Sequence, residues 1–379
     1  MNFDLTEEQQ MIRDNVHDFA QNEIVPGATD RDRTGKFPTD IIKKMAGLGL
    51  MGLPIDEKYG GAGADYVSYL LATEEITRAD ASLGLTYDAH IALGTAPIYY
   101  FGSEEQKNKY LPVLCSAEAM GALGLTEPEA GSDSGASKTT SVLDGDSWVI
   151  NGSKCFITNA GYSKFVTITA VTEKGIGTRG ISTFVVPTDT PGFEIGSGYE
   201  KMGLHSSNTT ELFFDNVRVP KENLLGPFNQ GFKQIMKVLD GGRLAVAAMC
   251  VGIAQACLDA SVKYSRERVQ FGRSISSFQA IQFKLADMKA SIELGRLMYL
   301  KGGWLKDSGR PYTQEASIAK LFCSEMATRS ALEAIQIHGG YGYIKEFPVE
   351  RYLRDAKLLE IGEGTSEVQR IIISRGLGL

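Results

Sequence analysis

Residues 147–171 read SWVINGSKCFITNAGYSKFVTITAV, and this stretch decides the architecture. It is rich in β-branched and aromatic residues. The hairpin-type dipeptides Asp144-Gly145, just ahead of it, and Asn151-Gly152, within it, predict turns between the runs SWVI, KCFIT and FVTITAV. ISTFVVP at 181–187 and TELFFDNVRV at 210–219 continue the pattern. Several short strands at this spacing predict a small barrel or sandwich and not a parallel sheet.

Outward from that centre the texture turns helical on both sides. Upstream, Thr6-x-x-Gln9 has capping-box spacing, and Ile12, Val16 and Phe19 share a face until Pro26. Ser103-x-x-Gln106 opens a second capped helix, and Gly60, Gly61 and Gly63 punctuate the helices between. Downstream of Pro227, Phe278, Ile281, Leu285, Met288 and Ile292 step by three and four, the seam of a bundled helix. A later run places Ile318, Leu321, Phe322, Leu332 and Ile335 inward and stops at Gly339. The expected fold is therefore mainly α with a central β domain. It divides into an N-terminal helical domain (1–119), a middle β-barrel or sandwich domain (120–228) and a C-terminal four-helix bundle (229–379). With 379 residues, several domains are expected.

Composition narrows the function. The formal charge of −7 argues against a nucleic-acid surface, which needs clustered Lys and Arg. One or two well-placed arginines could still bind a phosphate. Five scattered cysteines, with no CxxC pair, suit a reducing cytoplasm and give no disulfide framework. The start, MNFDLTEEQQ, lacks signal- and transit-peptide patterns. LAVAAMCVGIAQACL at 244–258 is too short to span a bilayer and reads as a buried helix. None of the four histidines lies at i,i+4 from another, so a histidine-rich metal site is not expected. GLGLMG at 47–52 and GIGTRG at 175–180 match GxGxxG, but neither joins a strand to a helix as a dinucleotide turn must.

Three segments carry chemistry. LGLTEPEAGSDSG at 123–135 ends a strand-like run in a loop of small hydroxyl residues and glycines, a source of donors for a planar polar heterocycle; its bland reading is a surface turn. RERVQFGRSISSFQ at 266–279 joins two long helices, and Arg268 makes it either a solvated connection or a phosphate clamp. In RDAKLLEIGEGTSEVQR at 354–370, Glu363 stands between Gly362 and Gly364. An isolated Glu is usually solvated surface, but flanking glycines let backbone and ligand approach closely.

Six stretches, LTEPEAGSD, INGSKCFITN, LDGGR, ERVQFGRSISSFQ, QIHGGYGY and EGTSEVQR, stand in the order and spacing of the acyl-CoA dehydrogenase family. The chain resembles that family over nearly its whole length, above all its short-chain, butyryl-CoA-type bacterial members, dehydrogenases or enoyl-CoA reductases. The resemblance implies FAD as cofactor, an electron-transferring flavoprotein as partner and a homotetramer of paired dimers. By position it implies Glu363 as the base that works on the substrate α carbon. Leu123, Leu125, Thr126 and Ser132 would meet the isoalloxazine edge, and Ser132 also the CoA thioester arm. Phe156, Ile157 and Thr158 would cover the other flavin face. Arg268, Phe271 and Gln279, with Gln336, Gly339 and Gly340 from a neighbouring subunit, would hold pyrophosphate and adenosine. Asp240 and Arg243 would meet the CoA moiety, Thr365 and Glu367 would touch FAD again, and Gly362 and Gly364 would line the substrate.

The family chemistry removes an α proton to a carboxylate while flavin N5 takes a β hydride, with donors to the thioester oxygen stabilising enolate charge. Burial should raise the Glu363 carboxyl above its ordinary range. One departure stands out. Short- and medium-chain members commonly carry Tyr before the base, whereas this chain has Gly362. That opens room for a bulkier or aryl-substituted acyl group, unless a neighbour has grown to compensate. An acyl-CoA oxidase using O₂ is a second enzymatic reading, but those oxidases usually carry a further C-terminal domain. A helical scaffold without cofactor is a reading from another class, opposed by the retained Glu363 and flavin-loop segments.

Overall fold

A computed structural model describes residues 4–379. The helical first third contains α1 (Glu7–Phe19), α2 (Ala28–Thr34), α3 (Thr39–Gly47), α4 (Tyr66–Ala79), α5 (Ala81–Asp88), α6 (Ala96–Phe101) and α7 (Glu104–Cys115). Both expected capping boxes form. The Gln9 N–H donates to the Thr6 hydroxyl at 3.2 Å, and the Gln106 N–H to the Ser103 hydroxyl at 3.2 Å. Helix α4 is buried on nearly all sides, so it serves as a core element and not as a surface helix.

The middle of the chain forms one eight-stranded sheet of β1 (Leu123–Gly124), β2 (Thr140–Asp144), β3 (Ser147–Thr158), β4 (Phe165–Val171), β5 (Ile181–Pro187), β6 (Phe193–Ile195), β7 (Thr209–Pro220) and β8 (Leu224–Leu225). The order is β6-β7-β3-β2-β4-β5-β8, with β1 alongside β4, and most pairs are antiparallel. Asp144-Gly145 makes the β2–β3 turn, Gly145 taking φ +61°. Asn151-Gly152 does not turn the chain, contrary to expectation. SWVI and KCFIT are halves of one twelve-residue strand, and Gly152, at φ +143°, sits at a register shift against β7. A Cβ there would lie 2.6 Å from the Thr139 hydroxyl, so this glycine serves a bulge with close backbone approach. GLGLMG lies at the end of α3 and GIGTRG in a turn between β4 and β5, neither in a strand–turn–helix.

Helix α8 (Gly231–Glu267) leads to a hairpin of β9 (Val269–Gln270) and β10 (Arg273–Ser274), then α9 (Gln279–Asp307), α10 (Thr313–His338), α11 (Val349–Leu359) and α12 (Ser366–Gly376). By length and composition α8 could cross a membrane, but most of its apolar window is inside the protein. It is the central helix of a core shared by the first and last thirds, where Tyr69 and Leu70 meet Leu244, Val251 and Ile292. The sheet has its own core around Ile150, Ile168, Phe184 and Leu212.

Helix α9 buries Met288 and Ile292 of the expected seam. Helix α10 stops at Gly339 but inverts its expected face: Ile318, Phe322 and Leu332 are exposed, while Leu321 and Ile335 are half-buried. Its buried stripe is Ala316, Ala319, Cys323, Ala327, Ala331 and Ala334. Small side chains let α10 lie close against α8, and Ile318, Phe322 and Leu332 are left outside.

Candidate active site

Glu363 lies in the turn between α11 and α12 in the left-handed region, φ +56°, followed by Gly364 at φ +97°. Few non-glycine residues hold that conformation unless their surroundings impose it. Here the peptide carbonyls are fixed from three elements. Lys320 of α10 donates to the Gly364 carbonyl at 2.8 Å, and Gln369 of α12 donates to the same oxygen at 2.9 Å. Gln369 also reaches the Glu363 carbonyl at 3.4 Å, and the Arg243 Nε of α8 approaches it at 3.5 Å. Thr365 caps α12 through the Val368 N–H. Among the described residues no acceptor meets the Glu363 N–H, which leaves a backbone donor beside the carboxylate.

The carboxylate itself is buried. Among the described residues Glu363 Oε2 has no hydrogen-bond partner, and burial raises its carboxyl, opposed by a contact with Asp88 and by the charges of Arg243 and Lys320. The expected upward shift is therefore present. Burial also pushes the Lys320 ammonium down to about 8. A Cβ on Gly242 of α8 would stand 2.1 Å from Glu363 Oε2, so only glycine leaves the carboxylate its place. The obstructed atom ends a flexible side chain, so Gly242→Ala should fold normally and displace the base. A misplacement of that size predicts a loss of about 10²-fold in kcat, read by steady-state kinetics beside an unchanged denaturation curve. Unchanged turnover would contradict the geometry.

Residues 123–135 and the end of β3 lie side by side. The Cys155 N–H donates to the Thr126 carbonyl at 2.9 Å. Beneath them Lys154, fully buried, donates to Glu127 at 2.7 Å and to the Leu125 carbonyl at 3.2 Å. A second register shift between Lys154 and Ile157 turns Phe156 outward, at φ +59° and 64% exposed, stacked on Tyr199. Ile157 is buried, Thr158 pairs with Thr209, and Ser132 is exposed in the loop. The next residue, Asn159, donates to the Thr86 carbonyl of α5 at 2.9 Å, two residues before Asp88 in the chain.

The other expected residues form a second group. Arg268, Gly339 and Gly340 line a groove of about 420 Å³ with His338 and Tyr341, and the Arg268 guanidinium lies 5.5 Å over the Tyr341 ring. Phe271 stands at φ +53° and 94% exposed in the hairpin beside it, and Gln279 and Gln336 are exposed. Neither Glu363 nor any residue of 123–158 lines this groove. Arg243 is buried, its guanidinium paired with Asp240 at 2.7 Å, and Asp240 accepts from Thr313 at 2.6 Å. Glu367 is exposed in the first turn of α12. Gly362 is open, since a Cβ there meets only the Leu358 carbonyl oxygen at 3.6 Å.

The residues present fit a large flat cofactor. A Cβ on Gly131, Gly339 or Gly340 would meet nothing within 4 Å, so a ligand can lie on the backbone at each. Exposed Phe156 and Phe271 offer rings to cover. Among the described residues no cluster of three or more His, Cys, Asp or Glu could hold a metal ion.

Sequence reasoning missed Asp88 and gave Lys154 no role. Lys154 had a signal: it continues the inward phase of Trp148 and Ile150, and an inward lysine needs a buried partner. Asp88 is a lone acid in the apolar stretch LGLTYDAHIALG, a weaker signal of the same kind.

Comparison with known proteins gives three family matches: acyl-CoA dehydrogenase, N-terminal domain, at residues 6–118; middle domain, at 122–217; and C-terminal domain, at 229–378. A Bacillus subtilis protein named "Probable acyl-CoA dehydrogenase YngJ" is 59% identical, with all of both chains covered. The structure of butyryl-CoA dehydrogenase from Megasphaera elsdenii superposes with TM-score 0.98 at 44% identity, over 100% of both chains. A chain in the structure described as the electron transferring flavoprotein of Acidaminococcus fermentans, with its flavin-based electron bifurcation, matches with TM-score 0.98 at 48% identity, over 100% of this chain and 99% of that one.

Proposed function

The chain belongs to the acyl-CoA dehydrogenase family, and on that premise we propose that Glu363 exchanges the α proton of a short-chain or aryl-substituted acyl-CoA. The protein is an FAD-dependent oxidoreductase acting on the CH–CH bond of acyl-CoA thioesters. The observation that carries the assignment of the base is the Glu363 turn: a buried carboxylate next to an unused backbone N–H, held by donors from three helices.

Bound FAD supplies the acceptor or donor of the β hydride. Glu363 takes the α proton in oxidation and returns it in enoyl reduction, and its raised carboxyl suits both directions. Its N–H stabilises charge developing on the thioester oxygen. Arg243 and Asp240, paired at 2.7 Å, meet the CoA moiety, and Arg243 also steadies the base's carbonyl. Leu123, Leu125, Thr126 and Ser132 hold one flavin edge, while Phe156, Ile157 and Thr158 cover a face. Thr365 and Glu367 return to the cofactor at the start of α12. Gly364 keeps the backbone beside the substrate bare.

Arg268, Gly339 and Gly340 line one groove of the same chain, so instead of dividing between subunits as expected, Arg268, Phe271, Gln279, Gln336, Gly339 and Gly340 together hold pyrophosphate and adenosine of a neighbouring copy's FAD. Two groups of cofactor residues that do not share a groove support this, as do the apolar residues left outside on α10. The assembly is a homotetramer. An electron-transferring flavoprotein is the redox partner, in line with the match to the Acidaminococcus structure. Five buried free thiols support a cytoplasmic location.

The acyl group is tested at Gly362, whose open Cβ direction favours a bulky substrate beside the short-chain reading. The test titrates FAD-loaded protein without oxygen, using butyryl-CoA and an aryl-propanoyl-CoA, and follows loss of flavin absorbance. Both thioesters should bleach the wild type. Gly362→Tyr should cut the aryl rate at least tenfold more than the butyryl rate, about 1.4 kcal/mol of selective exclusion. No bleaching by any acyl-CoA would sink the function, and a wild type inactive toward every bulky thioester would end the aryl reading.

A further inference from the structure

Glu363 is not alone in its pocket. Asp88, the last residue of α5, is fully buried, and its carboxyl contacts that of Glu363. The Tyr69 hydroxyl of α4 donates to Asp88 Oδ1 at 3.1 Å. Asp88 Oδ2 and Glu363 Oε2 are both buried and find no donor among the described residues. Two buried acceptors without donors, on carboxyls in contact, carry a desolvation penalty and repel each other if both are charged. A single proton on either carboxyl turns it into the donor that the other lacks.

The neighbouring cations do not relieve the pair. Arg243 of α8 is engaged by Asp240 at 2.7 Å, and Lys320 of α10 by the Gly364 carbonyl at 2.8 Å. Both cations stand at the Glu363 turn, Arg243 at its carbonyl and Lys320 at the next one, and favour an ionised Glu363, whereas Asp88 is met by the Tyr69 hydroxyl and lies beside Tyr66 and Tyr87. The two carboxyls are therefore inequivalent. From this geometry we infer that Asp88 is a positioning residue: it keeps the pair's one proton and donates it to the Glu363 carboxylate.

Burial, then the charge and contact of Glu363, raise the Asp88 carboxyl well above its ordinary range, which agrees with that assignment. The pair then titrates as a unit. Neutral Asp88 stabilises the ionised base and holds its side chain in one orientation. When Glu363 takes the α proton the pair becomes doubly protonated, and no further charge is buried. This reading rests on Glu363 as the base, but its test does not rely on turnover alone.

The test compares wild type, Asp88→Asn and Asp88→Ala as FAD-loaded enzymes. An amide donates to Glu363 and accepts from Tyr69, as neutral Asp88 does, whereas alanine does neither. The acid limb of the kcat/KM profile should stay put or move lower in Asp88→Asn. In Asp88→Ala it should move up by about one to two pH units, as expected for a lost hydrogen bond to a charged group. Infrared difference spectra of resting wild type minus Asp88→Asn at neutral pH should show one protonated carboxyl, whether or not Glu363 is the base. A difference spectrum without that band would overturn the proposal, even if Asp88→Ala failed to fold. So would an acid limb in Asp88→Ala that coincides with wild type. Near-normal turnover in Glu363→Gln alongside an intact band would instead reject only the base assignment.

Discussion

Glu363→Gln is expected to lower turnover by about 10⁴-fold while FAD stays bound, the upper range for losing a general base. The amide has nearly the same shape, so the turn should keep its donors from Arg243, Lys320 and Gln369, which bind carbonyls and not the side chain. The Glu363 N–H remains free to polarise a thioester. What disappears is the carboxylate placed against Gly242. The effect should therefore fall on kcat and kcat/KM alike, with acyl-CoA binding close to wild type. A loss confined to KM would mean that Glu363 merely helps bind substrate.

The second large effect is expected at Lys154. Its ammonium sits with Glu127 in a fully enclosed pocket, joined by the Thr169 hydroxyl at 3.3 Å. Burial alone would raise the Glu127 carboxyl, but the Lys154 charge and the Lys138 and Thr139 N–H groups hold it below its ordinary range. Lys154→Met fills much of the space but leaves a buried carboxylate with its main counter-charge gone. Breaking such a pair from one side costs about 3–5 kcal/mol. Because the same ammonium anchors the Leu125 carbonyl, FAD retention should fall together with stability. Chemical denaturation and the flavin-to-protein ratio read both. Glu127→Gln together with Lys154→Met should cost less than Lys154→Met alone, since no charge is then stranded. Equal stability of Lys154→Met and wild type would remove the pair's structural role.

Much of this was legible in the sequence. Capping boxes at Thr6 and Ser103, the Asp144-Gly145 turn and the α9 seam follow from local chemistry that tertiary packing did not override. The failures have physical causes. Asn151-Gly152 carries a hairpin signal, but the strand needed a bare backbone against Thr139, and the same glycine serves that purpose. On α10 the large apolar residues give the wrong face, because α8 approaches so closely that the stripe against it is mostly alanine. At the site, family resemblance pointed to Glu363, and the glycines beside it gave an independent hint. Asp88 and Lys154 were obscured because a sequence shows a charge but not whether water reaches it. Only the packing of α4, α5 and α8 around the turn reveals that the base has a second carboxyl for company.

Hydrogen exchange at the substrate α carbon separates proton removal from every later electron step. The FAD-loaded protein would be incubated in D₂O with butyryl-CoA and without any electron carrier, and deuterium at the α position followed by mass spectrometry. The account predicts enzyme-dependent incorporation by wild type and none above the buffer rate by Glu363→Gln. Incorporation by Glu363→Gln at the wild-type rate would contradict it, because some other group would then be removing the α proton.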